Sequence, residues 1–221
     1  MIIESRFNGP PGSGNGGWSA GVFAAASGAP GPVEVTLRRP PPLEIPLTLV
    51  DGEVRDPEGL VVAQVRPAEE DPRAVVPPVD LPAARAASAA YPGLVDHPFP
   101  GCYVCGPDRP DGLRIFPGRL PDGRTAAPFR VPGSVTAATV WAALDCPGGW
   151  AVIAPGRPYV LGRIAAVVAA LPEPGDECVV TGAMVGGGGR KALVHTSLYA
   201  PDGTLLARAR ATWIAVAAHA G

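Results

Sequence analysis

The sequence is nearly without lysine: Lys191 is its one ammonium side chain, and histidine is scarce at three positions. With 18 lysines and arginines against 20 acids, the chain lacks the cationic surplus that phosphate backbones select, which argues against nucleic-acid binding. No apolar run approaches the ~20 residues of a membrane-spanning helix. The N-terminal MIIESRF carries an early acid and no apolar signal region. Without an export signal, the four cysteines are expected to be reduced thiols of a cytoplasmic protein. What is abundant is alanine, valine, glycine and proline, with 29 each of the last two, a bias that leaves single arginines with little diagnostic weight.

Alternation and turn residues divide the chain. Residues 2–7 predict a short strand, followed by a glycine-rich loop (9–17) and a small-residue helix over 18–27. Residues 33–39, 45–50 and 60–66 predict antiparallel strands, with Asp51-Gly52 as one turn. From residue 67 to 100 prolines interrupt every pattern, apart from a helix over 81–90 capped by Asp80. Beyond it, residues 113–116 and 127–131 predict a hairpin about Pro121-Asp122-Gly123, and residues 136–145 a helix. Strands over 159–170, 177–185, 191–199 and 204–216 complete a meander. A helix followed by a meander predicts an α+β fold. The expected organisation is a shorter N-terminal unit (1–66), a proline-rich linker (67–100) and a C-terminal unit (101–217).

The two halves echo one another. Asn15-Gly16-Gly17-Trp18 answers Pro147-Gly148-Gly149-Trp150 at an offset of 132, and DPEGLVVA (56–63) answers APDGTLLA (200–207) at an offset of 144. A duplication in which the first half lacks about one strand follows.

Several patterns have chemical readings. Gly12 to Gly17 satisfies G-x-G-x-x-G, with Arg38 near the end of the next strand. Pro10-Pro11 and the hairpin-joined strands weigh against a dinucleotide site and for a plain loop. Gly17-Trp18-Ser19-Ala20-Gly21 matches a nucleophile elbow, but too few strands precede it. Its conceivable bases, His195 and His219, lie in a strand and a tail. His97, Cys102 and Cys105 make three-quarters of a zinc set that needs Cys146 or Cys178 to complete it, whereas small buried thiols in a tight turn need no metal. Asp145 closes the apolar run VWAALD ahead of a Cys-Pro-Gly-Gly break (residues 140–149). It reads either as a catalytic carboxylate with an apolar-raised pKa or as a helix-end trimmer.

The second half resembles hotdog-fold thioesterases of the phenylacetyl-CoA type. The residues carrying the likeness are Cys105-Gly106-Pro107, GLRIF (112–116), Ala143-Leu144-Asp145 before a glycine-alanine run, and GRKALVHTSLYAPDGTLLARARATW (189–213). Asn15-Gly16-Gly17 and Arg39-Pro40 carry it in the first half. The resemblance implies a double hotdog, each unit a central helix wrapped by a curved antiparallel sheet. It implies hydrolysis of an acyl-CoA or carrier-bound acyl thioester between the two central helices, or binding of such a ligand without turnover, and no cofactor. Asp145 is then the carboxylate that activates water, and Asn15 and Gly17 bring oxyanion donors at a helix start. Gly16, Trp18 and Trp141 line the acyl site, and Arg190 and Lys191 hold phosphates. Cys146 as nucleophile has no histidine beside it and reads better as a buried thiol. The chain departs from the pattern where relatives carry His-Gly-Gly, here Thr136-Ala137-Ala138, and at Pro147, which is expected to break the second helix. An internal pair of units leaves room for a further homodimer.

Overall fold

The structure, a computed structural model, describes residues 1–68 and 75–217. Its strands form one ten-stranded sheet in which every pairing is antiparallel. The first half contributes β1 (Val33–Leu37), β2 (Thr48–Val50), β3 (Glu53–Arg55) and β4 (Val61–Pro67). The second contributes β5 (Gly118–Arg119), β6 (Thr125–Arg130), β7 (Tyr159–Val168), β8 (Glu177–Gly188), β9 (Lys191–Tyr199) and β10 (Leu205–Ala215). Their spatial order is β2-β3-β4-β1-β7-β10-β9-β8-β6-β5. Outward from the β1–β7 junction the two halves run alike: β4 matches β10, β3 matches β9 and β2 matches β8. The offset of 144 joins equivalent turns, one between β3 and β4 and the other between β9 and β10. The surplus in the second half is the β5–β6 hairpin.

Turn chemistry sets several registers. Asp51 (φ 50°) and Gly52 (φ 75°) are both left-handed, as a two-residue hairpin between right-twisted strands requires. After β9, Gly203 (φ 86°) turns the chain while the Asp202 carboxylate accepts the Thr204 N–H at 2.8 Å. Two expected strands are replaced. At the N-terminus the Met1 and Ile3 carbonyls accept the Leu47 and Glu44 N–H groups and the Phe7 carbonyl accepts the Asn15 N–H, while Ser5–Phe7 closes into a 3-10 turn, so no regular ladder forms. Residues 113–116 bond to the turn that precedes them, Leu113 N–H to Tyr103 and Ile115 N–H to Val104, with Arg114 left-handed at φ 54°. The hairpin about Asp122-Gly123 is therefore β5–β6.

Two helices lie against each other beside this sheet. Helix α1 (Gly16–Ala26) begins two residues earlier than the sequence suggests, because the Asn15 side chain caps it by accepting the Trp18 N–H at 2.8 Å. Its glycines are the contact face: a Cβ on Gly17 would lie 2.5 Å from the Asp145 Cβ, and one on Gly21 would lie 2.7 Å from the Ala138 Cα. Advancing along α1 retreats along its partner, so the pair is antiparallel. The partner, α3, spans Ala137–Trp150, and residues 138–150 are all buried. Asp145 is thus in mid-helix, neither a terminus nor a cap, and Pro147 lies inside the helix instead of ending it. An interior proline costs about 3 kcal/mol through its lost N–H and its clash with the preceding turn. Burial on every side offsets that cost. Gly148 and Gly149 let the last turn rest on Val194 of β9 and on Trp213 of β10, and Thr125 Oγ1 donates to the Pro147 carbonyl at 2.7 Å.

The proline-rich stretch includes α2 (Leu81–Ala89), capped by Asp80 as expected, with Ala84 and Ala87 packed on Ala126 and Val179 of the sheet. Among the described residues no helix is long and apolar enough to cross a membrane. The offset of 132 has no structural counterpart, since Gly17 opens α1 while Gly149 closes α3.

Candidate active site

The first turn of α1 and the third turn of α3 meet at one carboxylate. Asp145 is only 3% exposed. Its Oδ2 accepts the Gly17 N–H at 2.9 Å and the Asn15 amide at 3.3 Å, both from the other half of the chain. Its Oδ1 is buried with no hydrogen-bond partner among the described residues. Burial pushes the Asp145 pKa up to about 7, with the Cys102 sulfur adding to the rise and the donors from Gly17 and Asn15 opposing it. A carboxyl so placed is divided between its acid and base forms near neutral pH.

The contact exists because the helix start is glycine. Any side chain on residue 17 would strike the Asp145 Cβ or the Trp141 carbonyl. Asn15, 3% exposed, works at both ends: its oxygen caps α1 and its nitrogen reaches Asp145 and, at 3.8 Å, the Cys102 sulfur. Gly17, expected to point its N–H at an oxyanion, has that N–H on Asp145 instead. Gly16 keeps an N–H with no partner among the described residues, at the positive end of α1.

Asp145, Asn15 and Gly16 line a cavity of ≈ 1370 Å³ that also takes in Cys102, Cys105, Cys146 and Trp150. Its walls are mostly apolar, with Leu37 and Leu161 on one side and the 91–99 loop on another. Leu94 and the 95%-exposed Val95 of that loop border it. The remaining sequence-selected residues do not line it. Trp18 stacks on Phe7 (3.6 Å between ring centroids) and meets Tyr103 edge-on, so its ring completes an aromatic cluster on the outer side of α1. Trp141 is buried against Gly21 between the helices. Arg190 and Lys191 are exposed at the β8–β9 hairpin, where Arg190 borders a separate shallow recess with Ala215 and Val216. The cations that do line the cavity are Arg38, Arg39 and Arg119. Arg119 is held by the carbonyls of Ala151 and Ile153 at 3.4 and 3.2 Å, whereas Arg38 and Arg39 are exposed. A signal for them existed in Arg38-Arg39-Pro40 at the end of β1, but nothing local distinguishes it from other arginines.

The other sequence motifs resolve simply. Ser19 is buried in α1 with a hydroxyl that has no partner, imidazole or other, among the described residues, which does not fit an activated nucleophile. His195 is half-buried within β9, opposite Ala183 and Arg210, and His219 lies outside the described residues. The Gly12–Gly17 loop does enter a helix, but no parallel strand exists among the described residues to make a dinucleotide fold. At the second helix start Thr136 and Thr139 form a reciprocal capping box at an exposed terminus, which faces solvent and not the cavity.

No family model matches the sequence, and no curated protein matches it. Solved structures do. A protein of unknown function with a hot dog fold from Alicyclobacillus acidocaldarius superposes over 98% of this chain and 92% of its own, at TM-score 0.57 and 16% identity. The PaaI protein from the phenylacetic acid degradation operon of E. coli matches 48% of this chain and 82% of its own, at TM-score 0.43 and 13% identity. A hypothetical thioesterase with coenzyme A from Streptococcus pneumoniae TIGR4 matches 46% and 88%, at TM-score 0.42 and 16% identity. The first of these spans both halves, and with the antiparallel sheet and its central helices it establishes that the chain has the hotdog fold.

Proposed function

We propose that the chain is two hotdog units in one polypeptide and that it hydrolyses an acyl thioester, of CoA or of a carrier protein, at a single site between α1 and α3. The observation that carries this reading is Asp145: a carboxyl lining the cavity, anchored through Oδ2 by the opposite unit, with Oδ1 left for a reactant. Water held at Oδ1 attacks the thioester carbonyl carbon and passes its proton to Asp145. The carbonyl oxygen, now an oxyanion, is stabilised by the Gly16 N–H and the positive end of α1. Collapse of the tetrahedral intermediate breaks the C–S bond, and the leaving thiolate takes the proton back from Asp145. Asn15 positions the carboxyl and does not itself touch the reacting atoms. Arg38 and Arg39, on the cavity wall, are the cations suited to the phosphates of a CoA-type leaving group.

One feature favours a second reading, a non-catalytic binder of acyl thioesters: with the Gly17 N–H engaged by Asp145, the oxyanion has a single evident backbone donor. Turnover separates the two. Chromatographic release of free CoA is measured from short, medium, long and aromatic acyl-CoAs, with acyl-carrier thioesters in parallel. Saturable hydrolysis that Asp145→Ala removes is expected. Saturable binding with no turnover on any substrate would leave the binder.

A further inference from the structure

Three of the four cysteines converge from two distant places in the chain. Cys102 and Cys105 come from the turn after the proline-rich stretch and Cys146 from the third turn of α3, next to Asp145. All three are buried, and their sulfurs lie within 4.8 Å of one another, Cys102 to Cys146 at 4.0 Å. A tetrahedral ion with metal–sulfur bonds of about 2.3 Å holds its sulfurs about 3.8 Å apart. The fourth cysteine, Cys178, is on β8 outside the group.

Polar groups other than the thiols themselves reach two of the three sulfurs. The Asn15 amide approaches the Cys102 sulfur at 3.8 Å. His97 is fixed in one tautomer: its Nδ1 accepts the Phe99 N–H at 2.8 Å, so the ring proton is on Nε2, 3.4 Å from the Cys105 sulfur. An imidazole that donates from Nε2 supports a thiolate and cannot also bind a metal through that atom. The turn is held rigid by the Gly106 N–H on the Cys102 carbonyl (2.8 Å) and the Tyr91 hydroxyl on the Cys105 carbonyl (3.2 Å). Gly106 itself admits no side chain, since a Cβ there would strike the Pro100 carbonyl and the Cys102 backbone. No cationic side chain is hydrogen-bonded to any of the three sulfurs among the described residues.

We propose that Cys102, Cys105 and Cys146 bind one zinc-class divalent ion as thiolates, with His97 as an N–H donor to Cys105 and not as a ligand. Binding releases the thiol protons to solvent. All three cysteines line the cavity, so the fourth coordination position is completed from the cavity by water or by a bound ligand. The ion ties the 102–105 turn to α3 beside Asp145, which makes it a clamp on the cavity wall whether or not the protein hydrolyses anything.

The test is metal content, independent of hydrolysis. The full chain is purified reduced and without chelators, loaded with zinc, dialysed and measured by mass spectrometry for metal, and cobalt is then exchanged in. About one zinc per chain is expected, with thiolate-to-cobalt charge-transfer absorption and the intense visible bands of a tetrahedral site. Cys102→Ser, Cys105→Ser and Cys146→Ser should each lose the metal, Cys178→Ser should keep it, and His97→Ala should keep it with affinity about 10–100-fold weaker. Since a cysteine variant can fail by misfolding, the wild-type cobalt spectrum stands as a second readout. Less than about a tenth of an equivalent in the loaded wild type would overturn the site, as would a Cys102–Cys146 or Cys102–Cys105 disulfide in reduced-purified protein. Complete loss in His97→Ala with native folding would overturn the assigned ligand set.

Discussion

The starts of α1 and α3, one in each half of the chain, are built in opposite ways. The α1 start is buried, capped by an asparagine whose free amide hydrogens reach across to Asp145, and built from two glycines that let a carboxylate approach. The α3 start is exposed, and Thr136 and Thr139 each take up the other's N–H in the capping box. Conversely, α3 carries the buried acid and α1 has none. One unit therefore supplies donors and the other supplies the carboxylate. If the chain acts as proposed, it builds one such site where two identical units would build two, and the α3 start is structural.

Substitutions at these positions sharpen the contrast. Asp145→Asn keeps the shape and an oxygen acceptor for the Gly17 N–H but cannot take a proton. It is expected to lower kcat by about 10²–10⁴-fold with little change in Tm, read by CoA release and thermal unfolding. Gly17→Ala puts a methyl where the Asp145 Cβ and Trp141 carbonyl already are. A stability loss of about 1–3 kcal/mol by denaturant unfolding is expected, together with reduced turnover because the helices must part. Thr136→Ala removes the capping box and should cost about 1 kcal/mol while leaving kcat unchanged. If Thr136→Ala suppressed turnover as Asp145→Asn does, the two helix starts would not be functionally distinct.

Much of the sheet was legible because alternation and turn residues act locally. The Asp51-Gly52 and Pro201-Asp202-Gly203 turns and strand β9 are where the pattern puts them, and Asp80 caps α2. The differences come from partners, near or distant, that alternation and turn residues do not reveal. Pro147 reads as a helix stop, yet α3 continues through it because strands and α1 surround that turn. Residues 113–116 have strand character but pair with Tyr103 and Val104, near in sequence and not in the expected hairpin. At the site, Asp145 and the Asn15-Gly16-Gly17 start stand out by chemistry and do meet. Trp18 and Trp141 stand out only by size, and packing claims them. Cys102 and Cys105 announce themselves by spacing, but no periodicity in the sequence places Cys146 beside them.

On the proposed function the chain has one site, made jointly by both halves. Calorimetric titration of the full chain with thioether analogues of acyl-CoA, which cannot be hydrolysed, tests it most directly. A stoichiometry of about one ligand per chain, with binding weakened in Gly17→Ala and unchanged in Thr136→Ala, is the expected result. Two equivalent ligands per chain, or one whose binding responds to Thr136→Ala and not to Gly17→Ala, would contradict it.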